Sequence, residues 1–467
     1  MEKRANQILP LSRNANAVEA DAGFFLQQVR QDVAPTFLPV ERNRLVTSNG
    51  RVEKLPPLPS ANPLQKKEWT VADDIREISL RTSTTLSVGG GFRSRSGESG
   101  MSRMNSFEST FEARLPFDFD TAVVLRITPV LLDAGKVDLT QPIVATRFGS
   151  AGLGPFMAVP YSARPQEDKG VALSLAMQTD NVNVDVGTTP LGFTIKNVVG
   201  GLSLTGDFDG FKLKGGLSRR PVTDSVLSYA GTLDPRTGDA WGGVLKTGGK
   251  LDLTIGDDTG GLYAALGAYS LTGSKVKDNR LIDFGIGAYW KAYQTTDTSV
   301  TIGLNLTSMS YQYNLGHFTL GHGGYFSPQR YIALGVPFDA AGRRGRLAFQ
   351  VGGSLGLQSI KQDDAPYYPD DAALQSAWET TAGLFGGTFS TRYSATSSSG
   401  LGYKLFAKLE YNINNKLVVG GRISSDNSSN YNQQQGLIYL RHAFDGVQQP
   451  IAYPPKPLRL FSEGEAL

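Results

Sequence analysis

Hydrophobic residues recur at every second position in many separate stretches of this chain, and the stretches are joined by connections that alternate between short and long. Val171, Leu173, Leu175 and Met177 alternate with Ala172, Ser174, Ala176 and Gln178. Val300, Ile302, Leu304 and Leu306 alternate with Thr301, Gly303, Asn305 and Thr307. Tyr403, Leu405, Leu409 and Tyr411 do so with Lys404, Lys408, Glu410 and Asn412. A period of two is that of a strand with one apolar and one wet face. About sixteen such strands are expected, starting near residues 82, 106, 121, 170, 181, 201, 211, 247, 260, 282, 299, 329, 346, 402, 416 and 430. Short connections, such as 117–120, 179–180, 207–210, 295–298 and 414–415, are interleaved with a second set at 95–105, 133–169, 188–200, 221–246, 272–281, 315–328, 358–401 and 426–429, most of them longer.

That alternation predicts an all-β fold: a transmembrane up-and-down antiparallel barrel whose short turns lie on one side of a membrane and long loops on the other. A soluble sandwich or propeller has connections of similar length at both ends, and its wet face points outward. An even strand number leaves both termini on the short-turn side, which is periplasmic in a bacterial outer membrane. No run of about 18 apolar residues is present, which excludes a spanning helix but not a spanning strand. The domain reading is a helical or disordered periplasmic segment with a Pro-rich linker over 1–80, a barrel over 81–445 and a tail over 446–467. The segment 69–80 is read as a short helix. No signal-peptide apolar region is found at Met1–Asn16, so a fragment or a misplaced start is expected.

Composition removes other functions. A net charge of +3 from 46 basic and 43 acidic residues gives no case for nucleic acid, and zero cysteines allow no disulfide or thiolate metal site. The sequence Gly352–Gly356 fits a nucleophile elbow in letters only, since it lies inside a strand pattern. Gly89–Gly91 opens no helix and cradles no phosphate. His317 and His322 have no adjacent carboxylate ligand and are read as solvated loop residues. Neither an enzyme nor a cofactor is expected.

An enclosed wet face remains. Strand parity puts Tyr263, Tyr269, Asp283, Tyr289, Lys291, Tyr293, Tyr311 and Tyr313 inside the barrel, where tyrosine rings could stack on the apolar faces of sugars. The tail carries Pro450, Pro454, Pro455 and Pro457, which favour an extended path; it is expected to enter the lumen, the alternative being a disordered periplasmic tail.

Three segments carry a family resemblance: Arg93–Gly100, Gly216–Gly231 and Gly321–Phe338. Together with the rest of residues 75 to 445, the chain resembles the C-terminal domain of cellulose synthase operon protein C. The residues of the shared segments are Arg93, Arg95, Glu98, Arg219, Arg220, Asp224, Tyr325, Gln329 and Arg330. The resemblance implies an outer-membrane channel for a nascent β-1,4-glucan, working with an inner-membrane cellulose synthase and its periplasmic subunit. Members carry tetratricopeptide repeats upstream, and no repeat of that length is found here. The rival expectations are a general diffusion porin, an adhesin or structural barrel acting through its long loops, and a soluble carbohydrate-binding protein.

Overall fold

The computed structural model describes residues 78–463, apart from 80, 154–161, 258, 387–388, 429–430 and 447–450, and also a two-residue ladder of Ala20–Asp21 on Thr36–Phe37. Most of the expected N-terminal segment and linker lies outside the described residues. Residues 78–79 and 81–82 are helical.

Sixteen strands form one closed sheet. They are β1 (Thr85–Arg95), β2 (Met104–Pro116), β3 (Ala122–Asp138), β4 (Ala163–Gln178), β5 (Val182–Thr188), β6 (Val198–Phe208), β7 (Phe211–Pro221) and β8 (Ala240–Gly256), followed by β9 (Gly260–Ser274), β10 (Val276–Gln294), β11 (Thr298–Tyr311), β12 (Arg330–Arg344), β13 (Leu347–Gln362), β14 (Thr396–Asn412), β15 (Leu417–Ser428) and β16 (Tyr431–Ala443). Each pairs antiparallel with the next, and β16 closes on β1 from Ala443↔Thr85 to Gln433↔Arg95. Closure leaves no free edge, which a sheet surrounded by lipid requires.

Several of the short turns share one device, a side-chain oxygen that takes the place of a backbone acceptor. Asp118 Oδ1 accepts from the amides of Asp120 (2.9 Å) and Thr121 (2.7 Å). Asp257 Oδ1 does the same for Thr259, Asn414 Oδ1 for Lys416 and Leu417, and Thr179 Oγ1 for Val182.

The two faces of the wall differ as the alternation requires. Leu86, Val88 and Phe92 of β1, and Leu304 and Leu306 of β11, are exposed on the outside. Inside, charges are paired. Arg220 grips Asp185 at two points, 2.7 and 2.5 Å; Arg126 pairs with Glu112, and Lys250 with Asp252 at 2.8 Å. An unpaired charge removed from bulk water costs several kcal/mol, so pairing is what the enclosure demands. Leu304→Arg should therefore destabilise the barrel by about 2–4 kcal/mol in a bilayer refolding titration, while Asp209→Arg on an exposed short turn should cost little.

Two expectations about connections change. Several strands begin earlier at the long-loop end than their apolar pattern indicates: β4 at Ala163, β8 at Ala240, β10 at Val276 and β14 at Thr396. The ladder continues past the apolar band, where outward residues such as Glu167 and Lys169 are polar and the two-residue period of hydrophobicity fades. For the same reason the expected long loop at 272–281 is a tight turn at Lys275, the one described non-glycine residue with a positive φ (49°).

Candidate conduit and cap

The loops at the long-loop end fold inward. The β3–β4 loop carries α1 (Pro142–Ala145), the β7–β8 loop α2 (Val226–Tyr229) and the β13–β14 loop α3 (Ala372–Leu384). Phe148, Leu227, Leu315 and Phe318 from three loops share one apolar cluster with strand residues Trp241, Tyr269, Met309 and Tyr331. A parallel bridge joins Gly149 to Thr319, and Asp234 accepts from both the amide and the hydroxyl of Ser150 at 2.6 Å. These contacts make a cap across that end of the barrel.

The three resembling segments, far apart in sequence, meet in this cap. Arg93 donates to the Thr223 hydroxyl (3.1 Å) and carbonyl (3.0 Å). Arg95 donates to the Asp224 carbonyl (3.2 Å), with its carboxylate at 3.7 Å. Asp224 Oδ2 in turn accepts from the Phe326 amide at 2.9 Å. Tyr325 is buried, and its hydroxyl lies 3.1 Å from Asn279 Nδ2. Gln329 accepts from the Asp363 amide, tying the β11–β12 loop to the β13–β14 loop, and Glu98 pairs with Arg147. Arg220 faces inward on Asp185, whereas Arg219 and Arg330 are exposed on the outer wall.

Among the residues expected inside, Tyr263, Tyr269, Asp283, Tyr289, Lys291 and Tyr311 are buried on the enclosed face. Tyr269 and Tyr311 belong to the apolar cluster of the cap, and Lys246 Nζ sits 4.5 Å from the Tyr269 ring centre. Tyr293 is not inside. The register slips between Lys291↔Thr301 and Tyr293↔Val300, so one extra residue, Ala292, turns Tyr293 to the outer wall, 43% exposed. Tyr313 is also misplaced by parity: it lies beyond the end of β11, 39% exposed, with its amide on Asn279 Oδ1 and its ring 4.8 Å from Lys277 Nζ.

The described tail residues lie against inward-facing groups. Ile451 and Tyr453 pack on Ala341 and Ala348 near the short turns, where the Tyr453 hydroxyl donates to the Thr296 carbonyl (3.1 Å). Arg441 donates to the Lys456 carbonyl. Leu458 and Leu460 pack on Leu437 and Tyr439. Ser462 donates its amide to Glu108 (3.1 Å) and accepts from Thr223 (3.4 Å), while Glu463 pairs with Arg422. Phe461 stacks on Tyr229 of α2 at 6.3 Å, so the end of the tail touches the cap. Gly91 finds its reason here, since a Cβ on it would come within 2.5 Å of Leu460; one on Gly89 would meet Tyr439 of the wall at 2.7 Å as well as Leu458 of the tail at 2.9 Å.

His317 and His322 are not solvated, contrary to expectation. The loop folds under residues 365–393, and His317 stacks flat on Tyr393 at 3.6 Å, which stacks on Tyr367 at 4.3 Å. His322 is fully buried, edge-on to His317 at 5.1 Å, with Nε2 3.0 Å from the Pro366 carbonyl. Burial pushes the His317 pKa down to about 4. Burial, and then the neighbouring imidazole, push His322 well below the usual range, against the partial offset of the Pro366 hydrogen bond. Trp378 of α3 anchors the same cluster by donating its indole N–H to the Ser390 carbonyl (3.1 Å). Only one signal of α3 lay in the sequence: Asp371 before a run of helix formers, where its carboxylate accepts from the Leu374 amide.

A closed sheet of sixteen antiparallel strands, apolar outside and ion-paired inside, defines a transmembrane β-barrel, here with one end capped by its own loops. The family described as cellulose synthase operon protein C C-terminus matches residues 102–445, and the chain belongs to that family. It is 36% identical over 419 residues to cellulose synthase operon protein C of Pseudomonas fluorescens (strain SBW25), covering 88% of this chain and 31% of that protein. It is 31% identical over 298 residues to the protein of that name from Escherichia coli (strain K12), covering 63% and 25%. The chain thus spans less than a third of the length of these curated relatives. Among solved structures, one titled bacterial polysaccharide outer membrane secretin superposes with a TM-score of 0.46 at 10% identity, covering 78% of this chain and 99% of that one, a value too low to establish a shared fold.

Proposed function

We propose that this chain is a bacterial outer-membrane conduit for a nascent β-1,4-glucan, with its short turns periplasmic and its cap at the cell surface. The polymer would come from an inner-membrane cellulose synthase and its periplasmic subunit, which supply the motion; the barrel supplies a passive path. The observation that carries this reading is the meeting of the three family segments at the cap: Arg93 and Arg95 hold Thr223 and Asp224, and Asp224 holds the Phe326 amide. A few polar contacts on a closing cap suit a channel shut at rest and opened by cargo from within. Along the wall, Tyr263, Tyr289, Lys291 and Asp283 are the candidate glucan contacts. Each would bind weakly, as conduction through multiple sites requires. The tail, on this reading, lines the same path.

The test is secretion. The chain, joined to the upstream region of a family member and expressed with synthase and periplasmic subunit in a strain lacking its own export subunit, should yield extracellular glucan that cellulase degrades. Tyr263→Ala with Tyr289→Ala should reduce that yield at unchanged barrel abundance. Removing residues 446–467 should raise ion conductance in planar bilayers. Free passage of small sugars through the intact wild-type barrel, with no glucan secreted, would favour a diffusion porin.

A further inference from the structure

The ladder register places two arginines and two hydroxyls in one unbroken row on the lipid-facing wall. Arg219 of β7 pairs with Thr247 of β8, Thr247 with Ser270 of β9, and Ser270 with Arg280 of β10. Cross-strand partners point to the same face, and all four side chains are exposed. Arg220, the neighbour of Arg219, is turned inward on Asp185, so the pair of arginines in the second family segment splits between the two faces. Arg219 Nε donates to the Val198 carbonyl at 3.2 Å, which fixes the guanidinium against the wall.

Immediately toward the membrane centre, the next row carries Leu217, Gly249, Ala268 and Ile282. The row after it carries Leu204, Gly215 and Leu251. The small residues sink the surface between leucines and leave a trough of about 460 Å³. A Cβ on Gly215 would meet only Leu251, at an ordinary 3.7 Å, so the space is open.

We propose that this wall binds one phosphorylated glycolipid of the outer leaflet, with an acyl chain in the trough and its charged headgroup on the arginine row. The trough alone would accept any acyl chain, and the row above it supplies the selection. Arg219 and Arg280 stand three strand spacings apart, about 14 Å between backbones. Two hydroxyls lie between them, which suits a sugar headgroup with phosphate at its ends better than one phosphodiester. Asp278, the next outward residue of β10, is also exposed, so the Arg219 end carries the greater net positive charge. The inference rests on the orientation proposed above, in which the long-loop end faces the outer leaflet.

The test uses the full chain in nanodiscs of zwitterionic phosphatidylcholine, titrated with diphosphorylated lipid A, with its enzymatically dephosphorylated form, or with phosphatidylglycerol. Retained lipid is counted by native mass spectrometry. Each arginine near a membrane surface contributes about 1 kcal/mol toward anionic lipid, so R219A/R280A should weaken lipid A binding about thirtyfold. Gly215→Leu, which fills the trough, should weaken both forms of lipid A alike. Neither change touches the inner face, so heat-modifiable mobility on gels and ion conductance should match wild type, which separates this outcome from failure of the conduit reading. Equal binding of dephosphorylated lipid A, equal binding of phosphatidylglycerol, or an R219A/R280A barrel that retains lipid A like wild type would overturn the proposal and leave only annular lipid.

Discussion

Lowering the pH from 7.5 to 5 should open the β13–β14 loop of the cap to protease, increasing its cleavage about thirtyfold. The cause is the imidazole pair. His317 is held near a pKa of about 4 by burial between loop segments, and His322 lies well below its usual range. Once the loop lifts, a histidine returns to an ordinary pKa of about 6.5. A pKa depressed in the closed state makes protonation favour the open one. The closed cap therefore has its full stability above about pH 6.5 and loses it as pH falls toward 4. For His317 alone the loss at pH 5 is about 2 kcal/mol, which is the thirtyfold. No carboxylate in the ring stack offsets the new charge: His317 faces the Tyr393 ring, His322 faces the Pro366 carbonyl, and Tyr367 stacks behind. Among nearby ions, Asp364 is engaged by Arg392 and Glu98 by Arg147. A glutamyl endopeptidase cutting at exposed Glu379, normalised against a free peptide at each pH, reads the opening. H317F/H322Q keeps a stacked ring and a donor toward Pro366, and should remove most of the pH dependence. A wild-type rate that stays flat between these pH values would show that the cap does not depend on neutral imidazoles.

What the sequence made legible divides along the membrane boundary. Inside the apolar band, lipid selects for hydrophobic residues on one face, and that selection shows as a period of two. At the short-turn end the expected starts of β3, β5, β7, β9, β11, β13 and β15 lie within one residue of the observed ones. At the other end the ladder outlasts the lipid, and the strand starts were placed late by up to seven residues, as in β4 and β8. Parity placed Asp283, Tyr289 and Lys291 on the enclosed face, where they are buried, and failed for Tyr293, where a one-residue bulge left no trace in the pattern. The cap was hidden for another reason. His322 is buried by Pro366 and Tyr393, which lie on a different loop, and no local spacing announces that two loops will pack together. The three family segments marked the right places without revealing that Arg95, Asp224 and Phe326 touch.

Replacing Gly91 with valine should unseat the tail without harming the barrel wall, and a second change in the tail should reverse the effect. Gly91 lies in β1 beside Leu437 of β16, facing inward. Its closest prospective contacts are the two terminal carbons of Leu460, at 2.5 and 3.0 Å, with the Gly436 carbonyl next at 3.2 Å. The main obstruction is thus a tail side chain. Overpacking of this kind costs about 1–3 kcal/mol where the neighbours cannot retreat. The tail can retreat as a separate segment: among the described residues it is seated beyond Leu460 by the Ser462 amide on Glu108, the Thr223 hydroxyl on the Ser462 carbonyl, Glu463 on Arg422, and Phe461 packed on Tyr229 and the apolar cluster around it. In a chain without native cysteines, Ser462→Cys is a clean reporter. Seated, it is buried and should label slowly with a water-soluble maleimide; with Gly91→Val it should label at least several times faster. Leu460→Ala removes the colliding carbons, so the Gly91→Val, Leu460→Ala double variant should label more slowly than Gly91→Val alone, the coupling that residues in contact show. Heat-modifiable gel mobility checks that the wall stays closed in each variant. Additive effects on labelling, with no reversal, would mean that Gly91 is required by the wall itself and that Leu460 does not rest against it.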